Sequence, residues 1–288
     1  MTRRPHRHLA VLALVGAGVG LAIAASGCSG ARRAQPAPPR RPGGPAGPAN
    51  TGVPPGTHLT PHDGTLFVDD AHAVIRGLDV HGDIVVRADD VTIEDTRVSS
   101  ANYWGIRLYA GHRGLRITDV EVAGLPAGDG RPGCGAGIVP ADYTASRVDV
   151  HGCQDGLRVG DDTVVRDSYI HDLRVTPGSH NDGIQALDGR DITIEHNTIL
   201  NPHQQTSAVL LKADTGDIAD VTITDNYLDG GSYTIYARNA NGYTTTGVTV
   251  EHNTLTTSYL YGPLSQDIPV IWKDNTSVPR LPSPTAPG

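Results

Sequence analysis

Residues 179–200 have the sequence SHNDGIQALDGRDITIEHNTIL, which holds two short runs with the alternation of a β-strand, GIQAL (183–187) and ITI (192–194). A turn of Asp, Gly, Arg and Asp separates the two runs, and Asn197 follows the second one closely. Alternating β-branched residues predict strands, and Gly and Asp predict tight turns. Weaker copies of the whole unit recur before and after this stretch.

One alternating apolar pattern repeats from residue 70 to residue 275. Clear copies are VTIEDTRV (91–98), LRITDVEV (115–122), VTITDNYL (221–228) and VTVEHNTL (248–255). A second series between them includes GIRLYA (from 105), GIVPAD (from 137) and GLRVGD (from 156). The last apolar residue of each copy recurs at steps of 18 to 29 residues, which indicates a solenoid. These residues are Val80, Val98, Val122, Val150, Ile170, Ile199, Leu228 and Leu255.

Two or three short strands per repeat predict an all-β fold, a single-stranded right-handed parallel β-helix. The alternative is a β-propeller, but its blades need about 40 residues and four strands each. The repeats resemble the right-handed β-helix proteins of the pectate-lyase-like superfamily over residues 65–276. The resemblance implies the fold, whereas one fold hosts many activities.

The N-terminal segment of the chain indicates export. A basic start, an apolar stretch and the residues Ala-Ser-Gly-Cys at 25–28 resemble a bacterial lipoprotein signal. This resemblance implies lipidation of Cys28 and an anchor on the outer face of the bacterial cytoplasmic membrane, which the protein would contact only through the lipid. An ordinary secretory signal is the alternative. The formal charge of −8 disfavours nucleic acid as a partner, because phosphate binding needs clustered positive charge.

We expect four segments in a monomeric protein. Residues 1–28 form the signal peptide, 29–57 a flexible tether rich in Pro, Gly and Ala, 58–276 the β-helix, and 277–288 a disordered tail. The tether and the tail have few apolar side chains that could offset the entropy lost on ordering.

Stacking of the coils predicts two structural features, because equivalent residues of neighbouring coils lie about 4.8 Å apart. Cys134 and Cys153 each stand four residues before equivalent apolar positions. We therefore predict a disulfide between them, with two buried thiols as the alternative. A ladder of amide side chains, which should cap one corner of each coil by bonding the backbone, comprises Asn197, Asn226, Asn253 and Asn275.

Outward-facing residues of the second series form a strip of cationic and polar side chains. The predicted column is Arg107, Val139, Arg158, Gln185, Lys212 and Tyr236, with Arg238 two residues further on. Such a strip would follow an extended anionic polymer, since Arg binds carboxylates through two parallel hydrogen bonds. The alternative is a solvated face whose cations pair with local Asp residues.

Carboxylates flank this strip and include Asp161. Asp is a common turn residue, so a structural role competes with a substrate-binding one. Clustered oxygen atoms would also suit Ca²⁺, which is the one cofactor that the sequence suggests. The sequence does not identify its ligands.

His180, Asp182 and Gln185 lie on the coil between Arg158 and Lys212. We expect these polar side chains to form one cluster, in which a His beside a carboxylate can perform acid–base chemistry. In the alternative interpretation, Asp182 only shapes the turn that leads into Gly183.

The resemblance implies a first functional hypothesis. The protein would be a polysaccharide lyase that cleaves a uronic-acid polymer by β-elimination. Lyases of that superfamily use Arg or Lys to remove the proton next to a carboxylate, and cations stabilise the resulting charge. Here Lys212 or His180 would be the base, and Arg158 and Arg238 would bind the carboxylate. The alternatives are a glycoside hydrolase that uses Asp155 and Asp182, a C5-epimerase, and a glycan-binding or structural solenoid without catalytic activity.

Overall fold

The computed structural model describes residues 44–128, 133–204 and 207–280. The chain divides into two units, Met1–Pro36 and Ala37–Gly288, and all described residues belong to the second. The predicted signal peptide with Cys28, most of the predicted tether and residues 281–288 lie outside the described residues. Within the described residues, no helix is long and apolar enough to span a membrane.

The described residues form β-strands that are grouped in three parallel sheets. Sheet 1 contains β1 (Thr60–Asp63), β4 (Leu78–His81), β7 (Arg97–Ser100), β10 (Glu121–Gly124), β13 (Asp149–His151), β16 (Tyr169–His171), β19 (Thr198–Asn201), β22 (Tyr227–Gly230), β25 (Thr254–Thr256) and β28 (Thr276–Val278). Sheet 2 contains β2 (Leu66–Val68), β5 (Ile84–Val86), β8 (Trp104–Leu108), β11 (Ala136–Val139), β14 (Asp155–Val159), β17 (Asp182–Ala186), β20 (Ser207–Ala213), β23 (Tyr233–Asn239) and β26 (Gly262–Gln266). Sheet 3 contains β3 (Val74–Arg76), β6 (Thr92–Glu94), β9 (Leu115–Thr118), β12 (Tyr143–Ser146), β15 (Val164–Arg166), β18 (Gly189–Glu195), β21 (Ile218–Thr224), β24 (Val248–Glu251) and β27 (Val270–Lys273).

Successive strands enter sheet 1, sheet 2 and sheet 3 in turn, so each coil adds one strand to every sheet. This arrangement confirms the predicted all-β parallel β-helix. The register also confirms the apolar column, since it pairs Val98 with Val122 and Val122 with Val150. All of these side chains are fully buried. Burying a Val, Ile or Leu contributes about 1.5–3 kcal/mol, so the stacked column is a major source of stability.

The corner between sheet 3 and sheet 1 is a two-residue turn in coil after coil. Its first residue is an Asp, His or Arg in the left-handed region, with φ between 47° and 57°. At the second position, Asn226 Oδ1 accepts a hydrogen bond from Asn197 N at 2.8 Å, and Asn226 Nδ2 donates to Ile194 O at 2.9 Å. The predicted amide ladder is confirmed, and it satisfies backbone groups that would otherwise be buried without partners.

Glycine residues line the corner where each coil passes from sheet 1 to sheet 2. Gly137, Gly156 and Gly183 occupy the second position of successive sheet 2 strands, and Gly105 precedes them. A Cβ atom on Gly183 would lie 2.3 Å from Ile199 Cγ2 and 2.6 Å from Ala208 O. The absence of a side chain therefore lets the backbone of sheet 2 approach the core side chains of sheet 1.

The predicted disulfide is present. Cys134 and Cys153 are bonded, and their Cα atoms are 4.6 Å apart. Both residues are fully buried, and each stands two residues before a sheet 2 strand, in adjacent coils.

Part of the predicted flexible tether and part of the predicted disordered tail are held against the β-helix or within it. Ala46 and Thr51, assigned to the tether, are buried, and Gly52 N donates to Arg147 O at 2.9 Å. At the other end, β28 extends to Val278, and Arg280 Nε lies 3.3 Å from Asp229 Oδ2. Residues 44–57 are held by small side chains and backbone groups, which a composition-based prediction does not detect.

Candidate functional site

A pocket of about 440 Å³ opens on the outer face of sheet 2. Three successive strands of this sheet, β17, β20 and β23, and the segments next to them supply its walls. It is lined by His180, Asp182, Gln185, Leu187, Leu210, Lys212, Asp214, Tyr236 and Arg238. The structure therefore brings together six of the predicted site residues from three consecutive coils.

The predicted position of Lys212 within the strip is wrong by two residues. Gln185 pairs with Leu210, and Leu210 pairs with Tyr236, whereas Lys212 pairs with Arg238. Side chains alternate along a strand, so a shift of two residues keeps the side chain on the same face. Lys212 thus reaches the same pocket one row closer to sheet 3.

Asp155 and Asp182 are stacked at the start of β14 and β17 and are only 3% and 4% exposed. Asp182 N donates to Asp155 Oδ1 at 3.2 Å, and Ser207 Oγ donates to Asp182 Oδ1 at 2.6 Å. Burial, together with the charge of Asp182, raises the pKa of the Asp155 carboxyl to about 6. Burial also raises the pKa of Asp182. Ionising either of these buried acids costs free energy. Carboxyls with raised pKa values near a surface pocket are typical of functional sites.

Arg158 and Gln185 fold back over these two acids. Arg158 Nη2 donates to Asp155 Oδ2 at 3.0 Å, and Gln185 Nε2 donates to Asp182 Oδ2 at 3.1 Å. The backbone carbonyl of Arg158 accepts a hydrogen bond from the buried Tyr143 hydroxyl at 2.8 Å. The side chains of Arg158 and Gln185 therefore separate the two acids from solvent. The hydrogen bonds to the acids also fix the positions of the Arg158 and Gln185 side chains.

Three of the four cations of the strip, Arg158, Lys212 and Arg238, have carboxylate partners. Lys212 Nζ lies 2.9 Å from Asp214 Oδ2, and Arg238 Nε lies 3.4 Å from Asp267 Oδ2. With the Arg158–Asp155 pair, this matches the alternative in which the cations pair with local Asp residues. A bound anion would have to exchange with these carboxylates.

Three predicted site residues lie outside the pocket, namely Arg158, described above, Asp161 and Arg107. Asp161 Oδ1 accepts a hydrogen bond from Arg190 N at 3.0 Å and lines a separate pocket near the corner with sheet 3. Arg107 lies on β8, where its guanidinium is 4.9 Å from the centre of the Tyr109 ring. Within the described residues, no group of three or more His, Cys, Asp or Glu side chains is arranged to hold a metal ion. Ca²⁺ binding therefore has no described set of ligands.

Trp104 is an aromatic residue of this face that was not predicted as part of the site. Trp104 stands directly before Gly105, just as Asp155 and Asp182 stand directly before Gly156 and Gly183. This alignment was available as a signal and places Trp104 in the same column as the two acids. Arg158 covers the Trp104 ring at 5.0 Å from its centre.

The fold and this face define a parallel β-solenoid with an open, polar and aromatic surface along one sheet. A family model described as "Right handed beta helix region" matches residues 82–267. The chain belongs to this right-handed β-helix family. A search of curated proteins finds no match.

Proposed function

We propose that this protein is a polysaccharide lyase that cleaves a uronic-acid-containing polymer by β-elimination. The observation that supports the proposal is the convergence of His180, Asp182, Gln185, Lys212 and Arg238 in one pocket on the outer face of sheet 2. Cations bind a carboxylate, an imidazole accepts a proton, and Tyr236 offers an apolar face to a sugar ring.

Binding of a substrate carboxylate requires Lys212 and Arg238 to exchange their Asp partners. Both cationic side chains are 43% exposed, and their partners Asp214 and Asp267 are 25% and 36% exposed. Ion pairs with this exposure contribute about 0–1 kcal/mol, so the exchange costs little. A uronate carboxylate that contacts both cations would replace two weak ion pairs with one bidentate site.

The chemistry then follows from the charges. Neutralising the carboxylate stabilises the negative charge that develops when the adjacent C–H proton is removed. Within the described residues, no hydrogen bond engages the exposed His180 side chain, whereas Lys212 Nζ donates to Asp214. We therefore assign the base to His180 and carboxylate binding to Lys212 and Arg238. His180 takes the proton, and the electron pair of the broken C–H bond forms the double bond. The C–O bond to the leaving group breaks at the same time, and the glycosidic oxygen keeps its electron pair and takes a proton from water.

A glycoside hydrolase is the second candidate, and the Asp155–Asp182 pair is the observation that favours it. A carboxyl with a pKa of about 6 beside another carboxyl suits general acid and base roles. Both acids are covered by Arg158 and Gln185, so these side chains would have to move before a glycosidic bond could reach them. For this reason we place the lyase first.

The test is to incubate the full-length protein with polygalacturonate, alginate, a glycosaminoglycan and a neutral glucan. Ultraviolet absorbance of an unsaturated product and new reducing ends are measured in parallel. Both signals together support the lyase, and new ends without absorbance support the hydrolase. Lys212→Ala and His180→Ala should abolish the absorbance, whereas Lys273→Ala on sheet 3 serves as the matched control. A lyase activity that survives both site variants would refute this assignment of residues.

We further propose that the protein is an exported monomer anchored through a lipid on Cys28. Incorporation of labelled fatty acid in a bacterial host should disappear in Cys28→Ser. Light scattering of the detergent-solubilised protein should give the mass of one chain, and a larger mass would exclude the monomer.

A further inference from the structure

The outer face of sheet 2 carries a second group of side chains toward the N-terminal end of the solenoid. The group consists of Tyr103, Trp104, Arg107 and Tyr109, which we call the N-terminal aromatic cluster. All three arginine–aromatic contacts of the described residues lie on this face of the solenoid. They are Arg87 with Phe67, Arg107 with Tyr109, and Arg158 with Trp104.

The Tyr103 ring is held in place although it is 53% exposed. A Cβ atom on Gly135 would lie 2.7 Å from Tyr103 Cε2, so the ring packs directly on the backbone of this glycine. Gly135 N donates to Tyr103 O at 2.8 Å, and the Tyr103 ring meets the Trp104 ring edge-on, with 4.2 Å between their centres. Tyr103 is thus an exposed aromatic surface that loses little conformational entropy when a ligand packs on it.

Arg107 differs from the other cations of this face. Arg158, Lys212 and Arg238 each have a carboxylate partner. Within the described residues, no carboxylate is paired with Arg107, whose guanidinium stacks on Tyr109, a ring that is 46% exposed. A cation that stacks on an aromatic ring and keeps its hydrogen-bond donors free suits a ligand that combines a carboxylate with an apolar ring face.

The position of the cluster along the solenoid determines what could reach it. Trp104 pairs with Ala136, Ala136 pairs with Asp155, and the next coil contributes Asp182. These three coil steps correspond to about 14 Å. A pyranose unit advances along its chain by about as much as one coil rises. A polysaccharide that runs parallel to the axis would therefore meet the cluster about three units from the pocket.

A second aromatic group begins at Tyr236 in the wall of the pocket and continues through Tyr233 to Tyr261, next to the following sheet 2 strand. The Tyr233 ring is 5.5 Å from both Tyr236 and Tyr261, measured between ring centres. Aromatic side chains therefore flank the pocket in both directions along the same face. This arrangement fits an extended chain that passes through the pocket and not a small molecule confined within it.

We propose that the N-terminal aromatic cluster is a distal subsite that binds the uronate units of a polysaccharide chain whose cleavage point occupies the pocket. The proposal rests on the function proposed above and adds its substrate class, an internal segment of a long anionic polymer. Arg107 binds a carboxylate of the chain, and Tyr103 and Tyr109 pack on its sugar rings.

The experiment measures binding of uronate oligosaccharides of increasing length to the full-length protein by calorimetry. Wild-type affinity should rise once an oligosaccharide is long enough to reach the cluster. The double variant Tyr103→Ala/Tyr109→Ala should lose this rise, about tenfold for the long oligosaccharides, and bind short ones as the wild type does. Arg107→Gln should show the same loss with a weaker salt dependence, because a charge contact is removed. Tyr243→Ala, an exposed aromatic residue outside the face, is the control.

The outcomes separate this subsite from the function of the pocket. Equal affinity of the wild type and the double variant for long oligosaccharides would overturn the subsite, and so would the absence of any uronate binding. Long oligosaccharides that bind only the wild type, with no binding of short ones to either protein, would support the subsite and overturn the pocket.

Discussion

Replacing Asp155 by Asn is expected to change how the stability of the solenoid depends on pH. In the folded protein, burial and the neighbouring Asp182 charge raise the pKa of the Asp155 carboxyl from 3.8 to about 6. At pH values between these two pKa values, Asp155 holds a proton in the folded chain that it has released in the unfolded chain. The free energy of unfolding of the wild type therefore falls as the pH rises through this window.

The size of the effect follows from the shift. One pKa unit is worth about 1.4 kcal/mol, so the ionised Asp155 costs the folded state about 3 kcal/mol above its folded pKa. An Asn side chain does not titrate. The unfolding free energy of Asp155→Asn relative to wild type should thus rise by about 3 kcal/mol between about pH 4 and about pH 7.

The measurement is denaturant unfolding of both proteins at a series of pH values, followed by tryptophan fluorescence and circular dichroism. Coincident transitions by the two probes are required, because solenoids can lose cooperativity. Asp70→Asn, at an exposed carboxylate between β2 and β3, controls for the loss of a charge. A pH-independent difference between Asp155→Asn and wild type would refute the conclusion that Asp155 is held as a buried acid.

Three further substitutions test the fold. Asn226→Ala removes several buried ladder hydrogen bonds and should lower the free energy of unfolding by about 3 kcal/mol, whereas Asn226→Ser, which keeps a hydroxyl acceptor, should cost less; equal losses would contradict the ladder. Gly183→Ala places a methyl group 2.3 Å from Ile199 Cγ2 and should cost about 2 kcal/mol, while Gly128→Ala, which meets nothing within 4 Å, should be neutral in the same denaturation assay. Replacing Cys134 and Cys153 together by Ser opens a link across 19 residues and should cost about 3 kcal/mol; a reductant should lower the Tm of the wild type to that of the double variant and leave the variant unchanged.

The fold was predictable because each coil repeats the same physical requirement. An apolar residue must enter the core at one position per strand, so Val98, Val122 and Val150 could be aligned from the sequence. The disulfide followed from the same alignment, since stacked positions bring Cys134 and Cys153 within bonding distance. The predicted flexible tether includes residues that are held by backbone contacts, as at Gly52.

The composition of the candidate site was predictable, but its internal pairing was not. Alternation fixes which face a side chain occupies, and it placed Lys212 on the correct face despite a register error of two residues. Alternation gives no information on which turn residue meets which cation. The pairing of Lys212 with Asp214 and of Arg238 with Asp267 depends on the path of the turns after β20 and β26, which the repeat pattern leaves undetermined.

The two-residue corner between sheet 3 and sheet 1 has a consequence for how this molecule could change over time or be redesigned. A single inserted residue there would turn every following side chain of the next strand to the opposite face, so this corner has to keep its length. The corner between sheet 1 and sheet 2 instead ranges from short turns to long segments, such as the one between β16 and β17 that carries His180. New segments grafted at that corner would alter the border of the outer face of sheet 2 while the core stays intact, so the shape of this face and the stability of the solenoid can be varied independently.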